Sequence, residues 1–336
     1  MEGILFNGAP VAARPGESLL ELAARCGVQV PTLCHHPSLS VTGRCKVCLV
    51  EADGKLVPAC ATRAVPGMRV ETDSARVLTA RRRRVEALMR HHRGECASCR
   101  QREFCGLLEL AAAVGLGAVE FREAPLSPPV RSGALVIDLG KCLGCERCVR
   151  VCREVRRVDA LRHPRFTHQS HAPVRFDPAC EGCGQCAVVC PTGAIVEASR
   201  HPAERRVRTV CGYCGTGCSL YLDVREGRVT GVTSDPFDPV GGGNLCVKGR
   251  FGFGFIHHPE RLTRPLLRAG TGFREVDWEQ ALDFAAGELR RIRDEHGGRA
   301  LAGLGSARGT NEENYAFQRL LRGALGSNHV DNCARL

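Results

Sequence analysis

The residues most able to do chemistry are cysteines. The densest stretch runs Cys142-x2-Cys145-x2-Cys148-x3-Cys152 and then Cys180-x2-Cys183-x2-Cys186-x3-Cys190-Pro191. Three cysteines at two-residue intervals wrap one cube of iron and sulfide, and the fourth cysteine of each run reaches the other cube. Cys142, Cys145, Cys148 and Cys190 are therefore assigned to one [4Fe–4S] cluster, and Cys180, Cys183, Cys186 and Cys152 to a second. Crossed ligation requires the two runs to fold against each other. A zinc site explains a Cys-x2-Cys pair but neither the third nor the fourth cysteine. Arg153 rather than proline follows Cys152, which leaves the ligand spacing intact.

This is the spacing of the bacterial two-cluster ferredoxins, present twice in full. Three further cysteine sets flank it. Cys34-x10-Cys45-x2-Cys48-x11-Cys60 has a close pair between two distant single cysteines, which suits a [2Fe–2S] cluster with two thiolates on each iron; zinc is the alternative. It resembles the front domain of respiratory complex I large subunits, iron-only hydrogenases and NAD-linked formate dehydrogenases. His92-x3-Cys96-x2-Cys99-x5-Cys105 fits a structural zinc site or a cube on spacing alone, with His91 as rival ligand to His92. In the same families a [4Fe–4S] cluster with one histidine and three cysteines stands at this place, which implies that group here. Cys26 fits no set and reads as a small core residue, and His35 and His36 read as loop residues.

The last set is Cys211-x2-Cys214-x3-Cys218-x27-Cys246, within Val210-Cys211-Gly212-Tyr213-Cys214-Gly215-Thr216-Gly217-Cys218 and Leu245-Cys246-Val247-Lys248-Gly249-Arg250. It resembles the N-terminal [4Fe–4S] domain of the molybdopterin oxidoreductases. In that family a lysine two residues after the last ligand lies between cube and pterin. Lys248 holds that position, which implies roles in cofactor binding and electron relay. Gly241-Gly242-Gly243 reads only as a flexible loop.

Composition narrows the function classes. The 336 residues suggest several domains, and 21 cysteines with no basic-then-apolar leader argue for metal in a cytoplasmic protein rather than disulfides. No apolar run approaches a membrane span. The formal charge of +11 invites a nucleic-acid reading. Five thiolate-ligated clusters would contribute about −9 and bring the loaded protein near neutral. With three Tyr and one Trp there is little to stack bases on, so nucleic acid is not expected.

The positioning elements follow from local signals. Asn7-Gly8 and Asp53-Gly54 predict hairpin turns, the second over Val47 to Val57. Ser18 with Glu21 predicts a capped helix buried through Leu19, Leu20, Leu22 and Ala23 and stopped at Gly27. Ser74 starts a helix reaching about His91, with Val77, Leu78, Val85, Leu88 and Met89 apolar and Arg81 to Arg84 read as a solvated face. A short helix over 106–114 leads to a proline-rich linker at 123–129, and residues 153–179 read as a hairpin or loops. Asp277 and Gln280 open a helix with the stripe Ala281, Leu282, Ala285, Leu289 and Ile292. Leu301 to Leu304 forms a strand, and Thr310 with Glu313 caps a helix buried through Leu320, Leu321, Ala324 and Leu325 and stopped at Gly326. No second strand is evident to pair with 301–304.

The expected fold is a multidomain α+β iron–sulfur protein. Residues 1–76 form a β-grasp [2Fe–2S] domain, 77–118 the histidine/cysteine-ligated [4Fe–4S] domain and 132–200 the double [4Fe–4S] ferredoxin domain. Residues 204–262 form the molybdopterin oxidoreductase [4Fe–4S] domain, and 263–336 begin an incomplete α/β molybdopterin-binding domain. Ser306–Tyr315 and Ser327–Leu336, the latter ending Cys333-Ala334-Arg335-Leu336, resemble formate dehydrogenase catalytic subunits. In that family the cysteine-alanine-arginine-aliphatic run precedes the metal ligand, a selenocysteine or cysteine, and then a histidine. Cys333 comes too early to be that ligand. The expectation is a longer protein whose reading stopped at a UGA selenocysteine codon, with a fragment boundary as the alternative.

The resemblance implies formate oxidation to CO2, or the reverse, at molybdenum or tungsten held by bis(molybdopterin guanine dinucleotide). Electrons pass one [2Fe–2S] and four [4Fe–4S] clusters to a flavin/NAD-binding iron–sulfur subunit, or to a hydrogenase or ferredoxin. The 336 residues alone are expected to be inactive towards formate. The rivals are a complex I-like or iron-only-hydrogenase-like electron-transfer subunit and a non-catalytic iron–sulfur module. Complex I large subunits normally lack the complete tandem, and iron-only hydrogenases carry a different cysteine set after the front clusters.

Overall fold

The computed structural model describes residues 3–117, 129–162, 175–198, 203–235 and 237–334. The chain divides into two units, Met1–His201 and Pro202–Leu336.

The first unit opens with β1 (Ile4–Phe6) and β2 (Ala9–Val11), joined at Asn7-Gly8 with both φ angles positive, as a two-residue turn matched to strand twist requires. Helix α1 (Leu19–Arg25) starts at Ser18, whose Oγ accepts from Glu21 N at 3.2 Å while Glu21 Oε2 accepts from Ser18 N at 2.8 Å. It ends as predicted: Val28 N donates to Ala23 O and Gly27 N to Ala24 O, which satisfies the last carbonyls. Replacing Ser18 by Ala removes the cap and is expected to lower the stability of this unit by roughly 0.5–2 kcal/mol in denaturant titration, with no change in bound iron. An unchanged midpoint would contradict the cap's role.

Strands β3 (Leu49–Ala52) and β4 (Lys55–Pro58) turn at Asp53-Gly54, and β5 (Arg69–Glu71) closes the sheet in the order β2-β1-β5-β3-β4. β5 runs parallel to β1 and antiparallel to β3. Ile4, Leu19, Leu22, Val50 and Val70 fill the space between sheet and α1. Helix α2 (Ala75–Arg90) is capped by Ser74, and α3 (Gly106–Ala113) packs on it through Val85, Leu88, Leu107 and Leu110. That core also takes in Cys34, Cys45 and Cys105, so the predicted residue-76 boundary runs through shared packing.

The arginine run of α2 is not one solvated face. Arg82 and Arg83 are exposed, but Arg81 is buried with Nε on Leu49 O at 2.8 Å, and Arg84 donates to Cys45 O at 2.7 Å. Leu78, predicted as apolar packing, is exposed. Two arginines are drawn inward because the Cys45 carbonyl in the loop and the Leu49 carbonyl at the start of β3 accept their side-chain N–H groups.

Next come β6 (Val130–Ser132) and β7 (Leu135–Ile137), then α4 (Arg147–Arg150), which continues as a wider turn over Val151–Val155. β8 (Leu161–Arg162) pairs with β9 (Arg175–Phe176), giving the two ends of the predicted hairpin; residues 163–174 lie outside the described residues, as do 123–128 of the proline-rich linker. α5 (Gln185–Val188) leads to β10 (Ile195–Glu197), which joins β7 and β6 in one antiparallel sheet. That pairing brings the second cysteine run back to the first.

The second unit starts with an antiparallel sheet of β11 (Arg205–Val210), β12 (Ser219–Arg225) and β13 (Arg228–Ser234). Helix α6 (Val247–Phe251) packs under it through Leu245, Leu220 and Val232 near Cys211. The Gly241–Gly243 segment is a bonded turn rather than a flexible loop: Asp238 accepts from Val240 N at 3.1 Å and Gly241 N at 2.8 Å.

A hairpin of β14 (Leu266–Ala269) and β15 (Gly272–Glu275) precedes α7 (Trp278–His296), capped by Asp277 on Gln280 N at 2.8 Å. Only the C-terminal part of the α7 stripe is covered: Leu289 and Ile292 pack on Leu301, Leu321 and Leu325, whereas Leu282 is 61% exposed. β16 (Gly303–Gly305) is followed by α8 (Asn311–Arg319), whose Thr310–Glu313 capping box is present. A wider turn over Leu320–Ala324 buries Leu321 but leaves Leu320 exposed.

The expectation of no pairing strand is corrected here. β17 (Val330–Asn332) lies parallel to β16, Gly303 opposite Val330. A parallel pair needs a crossover, and α8 supplies it. Three residues with one aspartate and one asparagine carry little strand signal of their own.

Candidate metal centres

All four cysteines of the front set are buried. Cys48 leads into β3, and Ala59 N donates to Cys48 O at 2.8 Å, which folds the single turn carrying Cys60 back onto it. Cys48 Sγ lies 3.4 Å from Cys60 Sγ, and Cys34 N points to Cys45 Sγ at 3.5 Å. The thiols thus form two pairs, 34/45 and 48/60. The thiol hydrogen bonds hold Cys34 at about 5 and Cys48 at about 7, while Cys45 and Cys60 are pushed up by giving that bond and by burial. Four thiols packed in an apolar cage, two by two, fit two iron ions whose positive charge offsets the thiolates.

His92 follows the end of α2 and is buried, its Nδ1 3.2 Å from Lys141 O. Burial lowers its pKa and favours the neutral ring. A carbonyl on Nδ1 favours the tautomer protonated at Nδ1, the form a metal-binding imidazole takes when its other nitrogen is the ligand. The rival His91 caps α2 on the exposed side. Cys105 caps α3 at its N-terminus, and burial together with the neighbouring Cys99 and Cys96 raises its pKa.

In the central tandem, one cavity is lined by Cys142, Cys145, Cys148 and Cys190 with Ile137 and Ile195. Burial pushes Cys142 up to about 11 and Cys145 up to about 12, and nearby Cys190 adds to both. Cys152 is raised by burial and then by Cys183 and Cys180, members of the other run. Cys186 is likewise raised by burial, Cys183 and Cys180. Cys190 therefore shares a cavity with the first three cysteines of the other run, and Cys152 lies near Cys183 and Cys180 of its partner run. Buried thiols that resist ionisation need a cation to become thiolates, which suits iron.

In the second unit, Cys211, Cys214 and Cys218 occupy the loop between β11 and β12, closed by Cys211 N on Cys218 O at 2.8 Å. Cys246 stands at the start of α6. Cys218 is raised by burial and by Cys211, Asp238, Cys214 and Cys246. Lys248 is exposed, and its charge acts on both Cys211 and Cys214. Gly249 lies so close that a Cβ there would meet Cys211 Sγ at 3.3 Å. Sequence reasoning missed Asp238, which acts on Cys218 and folds the Gly241 turn, and buried Arg250, which donates to Ser234 Oγ at 3.0 Å. The Asp-Pro before a triple glycine was the available turn signal for Asp238.

The loops after β16 and β17 meet at the carboxyl end of the parallel pair, where Ser306 Oγ lies 3.6 Å from Cys333 Sγ. Ligands of open α/β sheets bind at that end of the strands. Asn311 Nδ2 donates to Gly215 O at 2.7 Å, tying α8 to the Cys211–Cys218 loop.

The domains match in the same order. Residues 3–75 match a 2Fe-2S iron-sulfur cluster binding domain and residues 135–197 a 4Fe-4S dicluster domain. Residues 204–258 match the molybdopterin oxidoreductase Fe4S4 domain and residues 261–336 the molybdopterin oxidoreductase domain. Two molybdopterin oxidoreductase models thus match in succession over the C-terminal part of the chain, behind two iron–sulfur domain matches.

Its relatives include the NADPH-Fe(3+) oxidoreductase subunit alpha of Geobacter sulfurreducens, 34% identical over 100% of this chain and 40% of that one. An NADH-quinone oxidoreductase subunit of Rhizobium meliloti is 35% identical over 95% of this chain and 39% of that one. A Bacillus subtilis chain provisionally named a formate dehydrogenase is 29% identical over 99% of this chain and 39% of that one. The chain thus spans about 40% of the length of these relatives. A crystallised NAD+-reducing [NiFe]-hydrogenase is similar in structure, with a TM-score of 0.53 at 28% identity, over 59% of this chain and 88% of that one. No helix among the described residues is long and apolar enough to cross a membrane.

Proposed function

We propose that this chain is the electron-conducting part of a formate dehydrogenase. The observation that carries the wire is the meeting of Cys190 with Cys142, Cys145 and Cys148 in one cavity. In this reading the ligand sets hold one [2Fe–2S] and four [4Fe–4S] clusters. His92, Cys96, Cys99 and Cys105 hold the histidine-ligated cube, and Cys211, Cys214, Cys218 and Cys246 the cube nearest the pterin. Lys248 places a positive charge beside that last cube on the route to a molybdenum or tungsten bis(molybdopterin guanine dinucleotide). Formate gives CO2, one proton and two electrons, and the electrons leave through the front clusters to a flavin/NAD-linked subunit, a hydrogenase or a ferredoxin.

The formate assignment rests on the resemblance of Ser306–Tyr315 and Ser327–Leu336 to formate dehydrogenases. The similarity to NADPH- and NADH-named subunits favours a second reading, in which electrons enter from a nicotinamide-linked partner and formate plays no part. The two are separated by adding formate, anaerobically, to the full-length metal-loaded protein. Formate should bleach the iron–sulfur absorbance. Bleaching by NAD(P)H with the partner subunit, and none by formate, would sink the formate reading. The isolated 336 residues should show no formate turnover.

A further inference from the structure

Arg150, in α4, is 2% exposed and lies between the front cysteine set and the tandem. Its Nη2 donates to Cys34 O at 2.5 Å and to Cys145 O at 3.2 Å, and its Nη1 donates to Ser40 O. One guanidinium therefore holds the carbonyl of a cysteine from each of two candidate centres. Arg147, one turn earlier, donates to His35 O. Glu154 faces the same place: it accepts from Ser40 N at 2.7 Å and from Ser40 Oγ at 2.6 Å, and it feels the Arg150 charge. A guanidinium stays protonated when buried. Carbonyl dipoles and one half-buried carboxylate are modest company for a buried cation. Two thiolate-ligated clusters, each carrying net negative charge, complete it.

We propose that Arg150 is a shared positioning and charge-setting residue for the [2Fe–2S] centre of Cys34 and the [4Fe–4S] centre of Cys145, raising the reduction potential of both. This rests on the iron–sulfur reading of the two cysteine sets. Adding an electron makes each centre more negative, so a nearby fixed cation favours the reduced form. Carbonyl hydrogen bonds to the same guanidinium keep the Cys34 loop and the Cys145 loop at a fixed mutual distance.

The test is an EPR-monitored redox titration, with iron analysis, of the holoprotein carrying Arg150→Gln or Arg150→Lys, with the exposed Arg83→Gln as control. Arg150→Gln should disfavour reduction of both centres by about tenfold, which is about 59 mV downward for a one-electron couple. Arg150→Lys keeps the charge and should recover most of that, and Arg83→Gln should change nothing. Unmoved potentials in a fully iron-loaded Arg150→Gln protein would overturn the proposal. So would a shift at one centre only, or equal loss of iron from the Gln and Lys variants, which would make Arg150 a structural peg. A wild-type protein without both signals would instead refute the cluster reading beneath it.

Discussion

Replacing Cys190 by alanine is expected to empty the cube whose other ligands are Cys142, Cys145 and Cys148, although Cys190 belongs to the second cysteine run. Cys190 lines one cavity with those three residues. The mirror experiment, Cys152→Ala, should instead empty the cube of Cys180, Cys183 and Cys186, because Cys152 faces Cys183 and Cys180. The loaded protein should contain about 18 irons, and each variant should lose about four of them. Zinc at the His92 set would lower the starting value by about four irons and appear directly in metal analysis. EPR of the reduced proteins identifies which signal each variant loses. If Cys190→Ala spared the first-run cube and removed the second-run signal, the crossed assignment would be wrong. Each variant should also interrupt electron flow between the two ends of the chain, since the tandem lies between them in the proposed wire.

Gly193→Val should destabilise the first unit strongly. Gly193 has φ +69, and a Cβ there would lie 2.6 Å from Gln101 Cβ. A β-branched residue in the left-handed region costs about 1–2 kcal/mol. Overpacking adds about 1–3 kcal/mol, so the unit should lose roughly 2–5 kcal/mol. The damage would reach the chemistry. Gly106 N donates to Pro191 O at 2.9 Å just upstream, and Ile195 downstream lines the cavity of the Cys190 set. Thermal melting should fall by roughly 5–15 °C for a unit of this size. A melting temperature within about 1 °C of wild type would show that Gln101 and the backbone make room.

The elements read correctly from sequence were those set by residues close along the chain. Ser18 with Glu21, Asp277 with Gln280, and Thr310 with Glu313 each satisfy helix N–H groups three residues away. Asn7-Gly8 and Asp53-Gly54 adopt positive φ for reasons contained in the two residues. β5 and β17 were illegible because each is three residues long and exists only through partners far along the chain. The inward turn of Arg81, Arg84 and Arg150 was equally hidden. A run of arginines on a helix reads as solvated until a segment far along the chain presents carbonyls to it.

The sequence by itself grouped the candidate metal ligands, because cluster ligation confines cysteine spacing within a run to a few residues. It also determined the order of the domains, from the [2Fe–2S] set to the molybdopterin oxidoreductase set. The spacing also called for crossed closing cysteines, and the tertiary structure supplies the means: β10 pairs with β7 and returns Cys190 to the cavity of Cys142, Cys145 and Cys148. Tertiary structure alone decided that His92 rather than His91 turns inward, because helix α2 ends with only one of the two facing Lys141. The surroundings of the centres were decided the same way: Arg150 reaches the carbonyl of Cys34, and the Asp238 charge acts on Cys218, across distances along the chain that spacing does not relate.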